Sequence, residues 1–236
     1  MKKILLILVI SGVLMSCGNL VETVQEDVDT EYENNYSYLA LGDSYTIGEG
    51  VAEEDRWPVQ LVENLNERGY KVAPPKIIAK TGWTSRNLFK AMEKELSYTR
   101  EFDLVSILIG VNDQYQGKTK REYEEDLREV FRMALNYSKT REHGVFALSI
   151  PDYGVTPFAG DNSEEISAEI AEFNEVFKKI AEEYGVDFYN ITPISREAAR
   201  DPDLLVEDEL HPSGIMYRYW VEEIIDEITQ KLPNQE

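Results

Sequence analysis

The stretch Tyr38-Leu39-Ala40-Leu41-Gly42-Asp43-Ser44-Tyr45 passes from an unbroken apolar run to a glycine, a carboxylate and a hydroxyl in three consecutive residues. A short apolar run that stops in this way reads as a strand buried on both faces, ending where the chain turns. Four further runs have the same character: Lys76–Lys80, Leu104–Ile109, Val145–Ile150 and Val186–Tyr189. Between them apolar residues recur at helical steps. Tyr123, Leu127, Phe131 and Leu135 are spaced by four, and Ile166, Ile170, Phe173, Phe177 and Ile180 by four and three. Tyr217, Trp220, Val221, Ile224 and Ile228 mark a last helix with one buried face.

Strands alternating with helices predict an α/β fold, a three-layer α/β/α sandwich on a five-stranded parallel sheet. Ligands of such sheets lie beyond the carboxyl ends of the strands. Ser44 follows the first strand, Gly82 the second and Gly110-Val111-Asn112-Asp113 the third, so all three are delivered to one edge. In the strand order 2-1-3-4-5, Ser44 is central and Gly82 and Asn112 flank it.

Near the other end of the chain stands Asp208-Glu209-Leu210-His211. With Ser44 it supplies a hydroxyl nucleophile, an imidazole base and a carboxylate to orient the base, the set a serine hydrolase needs. Only two histidines are present. The other, His143, precedes Gly144 at the expected end of a helix before the fourth strand, where it suits the helix dipole and takes no catalytic role. Attack by serine on an ester carbonyl also creates an oxyanion that requires preorganised donors. The backbone N–H groups of Ser44 and Gly82 and the side-chain amide of Asn112 supply three. Glycine at 82 allows close backbone approach, and asparagine is a neutral donor on a short arm.

Each residue taken singly has a plainer reading. Ser44 suits a helix N-cap, Gly82 a turn, Asn112-Asp113 a turn after the third strand, and Asp208 a solvated acidic run with Glu207 and Glu209. Tyr45, Trp83, Tyr115, Tyr153 and Phe158 neighbour the strand ends, where core packing is the expected role of any one of them and pocket lining the alternative. Gly48-Glu49-Gly50 lacks the third glycine of a dinucleotide loop. Thr46 occupies the place where the α/β-hydrolase elbow needs glycine. Two distant histidines and no spare thiol leave no expected metal site, and no cofactor is implied.

Taken in order, Gly42-Asp43-Ser44-Tyr45, Gly82, Gly110-Val111-Asn112-Asp113 and Asp208-Glu209-Leu210-His211 resemble the four blocks of the SGNH hydrolase superfamily, the GDSL esterase/lipase family. The resemblance runs from Tyr38 to the last helix, with Tyr45 in place of the leucine in the family name. It implies a flavodoxin-like fold, Ser44 as nucleophile, His211 as base, Asp208 as its orienter, and Ser44, Gly82 and Asn112 as the oxyanion hole. The implied activity is hydrolysis of a carboxylic ester, in a small molecule, a lipid or an acetylated glycan, through an acyl-enzyme at Ser44. The alternative from another class is a catalytically silent envelope protein that binds glycan or lipid in the same cleft.

Lys2 and Lys3 precede an uncharged apolar run, Ile4 to Met15, and Leu14-Met15-Ser16-Cys17 ends it. Residues 1–16 therefore read as a secretory signal peptide, too short for a membrane span of about 20 residues. Leu14 to Cys17 further resembles the lipobox of bacterial lipoproteins, which implies acylation of Cys17 and a membrane-anchored envelope protein facing periplasm or exterior. An ordinary signal peptide is the alternative. Cys17 is the single cysteine, so its acylation excludes disulfides and thiolate chemistry. Residues 17–37 read as an acidic, self-repelling tether and 38–236 as the hydrolase domain. A formal net charge of −21 disfavours nucleic acid as a partner.

Overall fold

A computed structural model of the chain describes residues 36–96 and 101–232, within the compact unit Glu33–Glu236. The expected signal peptide, Cys17 and nearly all of the tether lie outside the described residues. Five strands, β1 (Tyr38–Gly42), β2 (Lys76–Ala79), β3 (Leu104–Leu108), β4 (Val145–Leu148) and β5 (Asp187–Tyr189), form one parallel sheet in the order β2-β1-β3-β4-β5. This is the flavodoxin-like order expected from the sequence, and it sets β1 between β2 and β3.

The α-helices are α1 (Ser44–Ile47), α2 (Trp57–Glu67), α3 (Ser85–Glu95), α4 (Val111–Tyr115), α5 (Lys120–Tyr137), α6 (Ser163–Glu183), α7 (Thr192–Ser195) and α8 (Gly214–Thr229). Helix α2 packs with α8, whereas α5 packs with both α3 and α6, giving the two outer layers. Reciprocal capping by Thr84 and Asn87 starts α3, and by Thr119 and Glu122 starts α5, each pair satisfying N–H groups that the first helical turn leaves unpaired. The apolar stripes read from the sequence face inward on α5, α6 and α8, with Ile166 only half-buried.

Four departures from the sequence reading have local causes. Burial on both faces holds for β1, β3 and β4, but β2 and β5 are partly exposed because they are the sheet edges. Strands β3 and β4 also leave the ladder before Ile109 and Ile150. Gly110, at φ +131°, turns the chain into α4. Ile150 bonds to Asn174 instead of a neighbouring strand, its N–H donating at 2.8 Å and its carbonyl accepting at 3.0 Å. Helix α5 ends at Tyr137, so exposed His143 sits in a separate 3-10 turn, Arg141–Gly144, and not at an α-helix terminus. A Cβ on Gly144 would come within 2.7 Å of Ser138, Thr140 and the Asp103 carbonyl, so packing requires that glycine. Tyr36 and Ser37, grouped with the tether by sequence, touch the domain: Tyr36 bridges to Val72, and Ser37 donates to Asp103 at 2.8 Å.

Candidate active site

The nucleophile candidate sits at a crowded turn. A Cβ on Gly42 would lie 2.1 Å from Thr46 Oγ1 and 2.5 Å from the Leu108 carbonyl, so β1 can pass into α1 there only as glycine. Asp43, not Ser44, caps α1: its Oδ1 accepts the Tyr45 N–H at 3.1 Å. Ser44 is thereby the first residue of the helix, with an N–H that has no intrahelical partner. Asp43 is wholly buried, and its Oδ2 has no hydrogen-bond partner among the described residues. Burial above all, opposed by the Tyr45 N–H and reinforced by Asp113, pushes its carboxyl up to about 8. It is therefore mostly protonated at neutral pH and adds little negative charge beside Ser44.

On the β2 side, Gly82 has φ +81°, a left-handed conformation that favours glycine. Nothing lies within 4 Å of the place a Cβ would take, so conformation, not crowding within the chain, is what requires the residue. The Gly82 carbonyl accepts from Gln116 Nε2 at 3.2 Å and the Trp83 carbonyl from Asn112 Nδ2 at 3.0 Å. One amide hydrogen of Asn112 thus pins the Gly82 loop, and a second remains to donate elsewhere. Asn112 and Asp113 lie in α4 and not in an open turn. Asp113 is a buried latch: its Oδ2 accepts the N–H and hydroxyl of Ser85 at 2.8 and 3.0 Å, and its Oδ1 accepts Lys118 at 2.9 Å.

The histidine arrives on a closed loop. Leu205 pairs with Pro212, Val206 N–H donates to the His211 carbonyl at 2.9 Å, and Ser213 N–H to Leu204 at 2.8 Å. Inside the loop one carboxylate has two tasks. Asp208 Oδ1 accepts the N–H groups of Leu210 and His211, each at 2.9 Å, and Oδ2 stands 2.6 Å from His211 Nδ1. Of the three acidic residues at 207–209, only Asp208 makes these bonds. The tight return is made by Glu209 at φ +58°, a conformation that is uncommon for a residue with a Cβ. Burial acts to raise the Asp208 carboxyl, but the hydrogen bonds from the His211 ring and the two N–H groups outweigh it and hold the group below its ordinary value.

Ser44, Gly82, Asn112 and His211 meet in one cleft of about 180 Å³, with Asp208 behind the imidazole. The Ser44 hydroxyl makes no hydrogen bond to His211 among the described residues, and such contacts commonly tighten only when substrate is bound. Of the aromatic residues named from the sequence, Tyr45, Tyr115, Tyr153 and Phe158 line the cleft. Tyr45 and Tyr153 also belong to the core, and Tyr45 meets the His211 ring edge-on at 5.7 Å. Tyr115 and Phe158 are exposed, so core packing is not their role, whereas Trp83 packs on the core as expected. Thr81, Val111 and Leu210 complete the walls. Sequence reasoning passed over these three, although each is the chain neighbour of a site residue.

The pattern of the GDSL-like Lipase/Acylhydrolase family matches residues 40–219. Solved structures share the fold. They include TesA, 20% identical with a TM-score of 0.65, covering 83% of this chain and 99% of that one. A psychrotrophic esterase, EstA from Pseudoalteromonas sp., is 20% identical with a TM-score of 0.63, covering 85% and 100%. An acetylxylan esterase from Geobacillus stearothermophilus is 21% identical with a TM-score of 0.65, covering 86% and 98%. At these identities the likeness concerns the fold. No curated protein sequence matches the chain.

Proposed function

Because the chain belongs to the GDSL-like lipase/acylhydrolase family, a family of ester-hydrolysing enzymes, we propose that it cleaves a carboxylic ester through an acyl-enzyme at Ser44. The observation that carries this reading is the meeting of Ser44 and His211 in one cleft while Asp208 holds His211 Nδ1 at 2.6 Å. With Nδ1–H donated to Asp208, Nε2 is free to take the Ser44 proton as Oγ attacks the carbonyl carbon. The N–H groups of Ser44 and Gly82 and the spare amide hydrogen of Asn112 receive the oxyanion. Collapse of the tetrahedral adduct breaks the C–O bond, and the alcohol leaves with the proton held by His211. His211 then deprotonates a water that attacks the acyl group, and the acid departs as Ser44 recovers its proton.

Pre-steady-state hydrolysis of 4-nitrophenyl acetate tests this. A burst of one nitrophenol per chain is expected if deacylation is the slower step, and Ser44→Ala should abolish both turnover and labelling by a fluorophosphonate. Labelling retained at another serine would refute the assignment.

We also infer that Cys17 carries lipid and anchors the enzyme in the cell envelope, supported by Lys2 and Lys3, the apolar run and Leu14-Met15-Ser16-Cys17. More than one acyl chain gives stable anchoring. The protein should fractionate with membranes and take up labelled palmitate, and Cys17→Ala should lose both. A soluble, unlabelled wild type refutes the anchor.

A further inference from the structure

Among the described residues four large hydrophobic side chains are exposed: Tyr115, Phe158, Ile215 and Tyr219. Two of the four stand together on the rim of the cleft. Tyr115 is 62% and Phe158 48% exposed, and both border the space that holds Ser44 and His211. Large rings left in water beside a site are informative where scattered apolar residues are not. They come from separate segments, Tyr115 at the end of α4 and Phe158 in the 3-10 helix Pro157–Asn162, so no single helix face accounts for the pair.

A third ring holds them in place. Tyr153 lies 6.4 Å from Tyr115 and 6.3 Å from Phe158, and those two are 6.4 Å apart, measured between ring centroids. The Tyr153 hydroxyl donates to Gln114 Oε1 at 2.7 Å, while Gln114 Nε2 donates to Glu169 at 2.6 Å. The hydroxyl is therefore committed to the buried side. What the cluster offers to a ligand is ring surface, together with the hydroxyl of exposed Tyr115.

The size of the cleft divides a substrate between two places. About 180 Å³ is less than the roughly 300–1,000 Å³ of pockets that enclose a drug-sized ligand. The space that holds buried Ser44 is itself bordered by Tyr115, Tyr153 and Phe158, so an ester seated at Ser44 would place its outer end against these rings. The acyl group stays bonded to Ser44 after the first half-reaction, whereas the alcohol must escape to water. The open rim suits the group that leaves.

We propose that Tyr115, Phe158 and Tyr153 form a subsite for an uncharged cyclic alcohol, so that the enzyme removes short acyl groups from a ring with an apolar face. This rests on the reading of Ser44 as the ester-cleaving nucleophile. Rings whose centroids lie 6.3 to 6.4 Å apart form one apolar cluster, a surface suited to packing against another ring. The net charge of −21 disfavours an anionic alcohol. A sugar ring and an aryl ring share the required chemistry.

The test compares methyl tri-O-acetyl-β-xylopyranoside, phenyl acetate and ethyl acetate, which carry a sugar ring, an aryl ring and no ring on the alcohol side. For each substrate the kcat/KM of Tyr115→Ala and of Phe158→Ala is divided by that of the wild type, which cancels intrinsic reactivity. Either substitution should lower that quotient about 3- to 10-fold more for at least one ring ester than for ethyl acetate, the scale of one aromatic contact. The ring ester affected identifies the sugar or the aryl source. Tyr115→Phe should restore the preference, and Tyr219→Ala, an exposed aromatic away from the cleft, should not alter it.

Equal losses on all three esters would overturn the proposal, as would a selective loss on ethyl benzoate, whose ring is on the acyl side, or on acetylcholine, whose alcohol is cationic. If the wild type hydrolyses none of these esters, fluorophosphonate labelling at Ser44 decides the reading of that residue separately. The subsite is then judged by calorimetric titration of the Ser44→Ala protein with methyl tri-O-acetyl-β-xylopyranoside and with phenyl acetate. Binding of either ester that weakens on adding Tyr115→Ala upholds the subsite, and binding of neither, or binding indifferent to that change, overturns it.

Discussion

The turn from β1 into α1 and the loop from Val206 to His211 each use an aspartate to hold the backbone, and the two aspartates are driven in opposite directions. Asp43 accepts one N–H, is wholly buried, and has its carboxyl raised to about 8. Asp208 accepts two N–H groups and the imidazole, reaches solvent, and is held below its ordinary value. The same side chain serves as a neutral cap in one place and as a charged orienter in the other. Hydration and the number of donors decide which. For the chemistry proposed here the difference is useful, since a charge behind His211 favours the imidazolium and a charge beside Ser44 would oppose the oxyanion.

Substitution by asparagine exposes that contrast, with the largest effect expected at the loop. Asp208→Asn retains an oxygen for the Leu210 and His211 N–H groups but loses the charge and favours the wrong imidazole tautomer. It should lower kcat about 10³- to 10⁴-fold. A loss below tenfold would show that Glu207 or Glu209 substitutes, or that the charge is unnecessary. The oxyanion side should respond next. Asn112→Ala should cost about 10²–10³ in kcat with KM nearly constant, although part of any change would come from releasing the Trp83 carbonyl. Steady-state kinetics that instead show KM rising at constant kcat would reassign Asn112 to substrate binding.

Stability against pH separates the two carboxyls by sign. The folded pKa of Asp43 is above its unfolded value, so its contribution is fully present below about pH 4 and is lost as pH rises through about 8. The loss is on the order of 5 kcal/mol across that window. Asp208 behaves conversely: its folded pKa is depressed, so its contribution is present above about pH 4 and lost as pH falls through the folded value. Urea unfolding at pH 5 and pH 9 should show Asp43→Asn gaining on the wild type as pH rises, because the amide keeps the cap and cannot ionise. Parallel stability profiles would mean that Asp43 is already charged at pH 5.

The smallest predicted effect concerns the second histidine. His143→Ala should change kcat/KM by less than about twofold, as expected for an exposed residue away from the cleft. His211→Ala should remove turnover. A reversal of the two would break the assignment of the loop as the catalytic one.

Much of this site is legible along the chain because its residues follow strands. Ser44, Gly82 and Asn112 were placed at one sheet edge by the strands they follow, and the parallel sheet puts them there. Other features have no periodic or local signal. The left-handed Glu209, the partition of Asp208 between backbone and ring, and the tie from Asn112 to the Trp83 carbonyl all depend on how a loop closes in space. The exposure of Tyr115 and Phe158 lacks a sequence signal for the same reason, since residue type alone favours burial of such rings.

By itself the sequence determined the α/β class, the five strands, and the pairing of a strand-end serine with a distant Asp-x-x-His segment, whereas the strand order was implied by the family resemblance and fixed by the fold. It could do so because strand and helix periods and glycine breaks are local properties of the chain. Only the tertiary structure decided which aspartate is hydrated, which N–H groups remain unpaired and which rings reach the cleft rim. Those outcomes depend on solvent access and on contacts between residues far apart in the chain, such as Tyr45 with His211 and Gln114 with Glu169, and no local pattern encodes them.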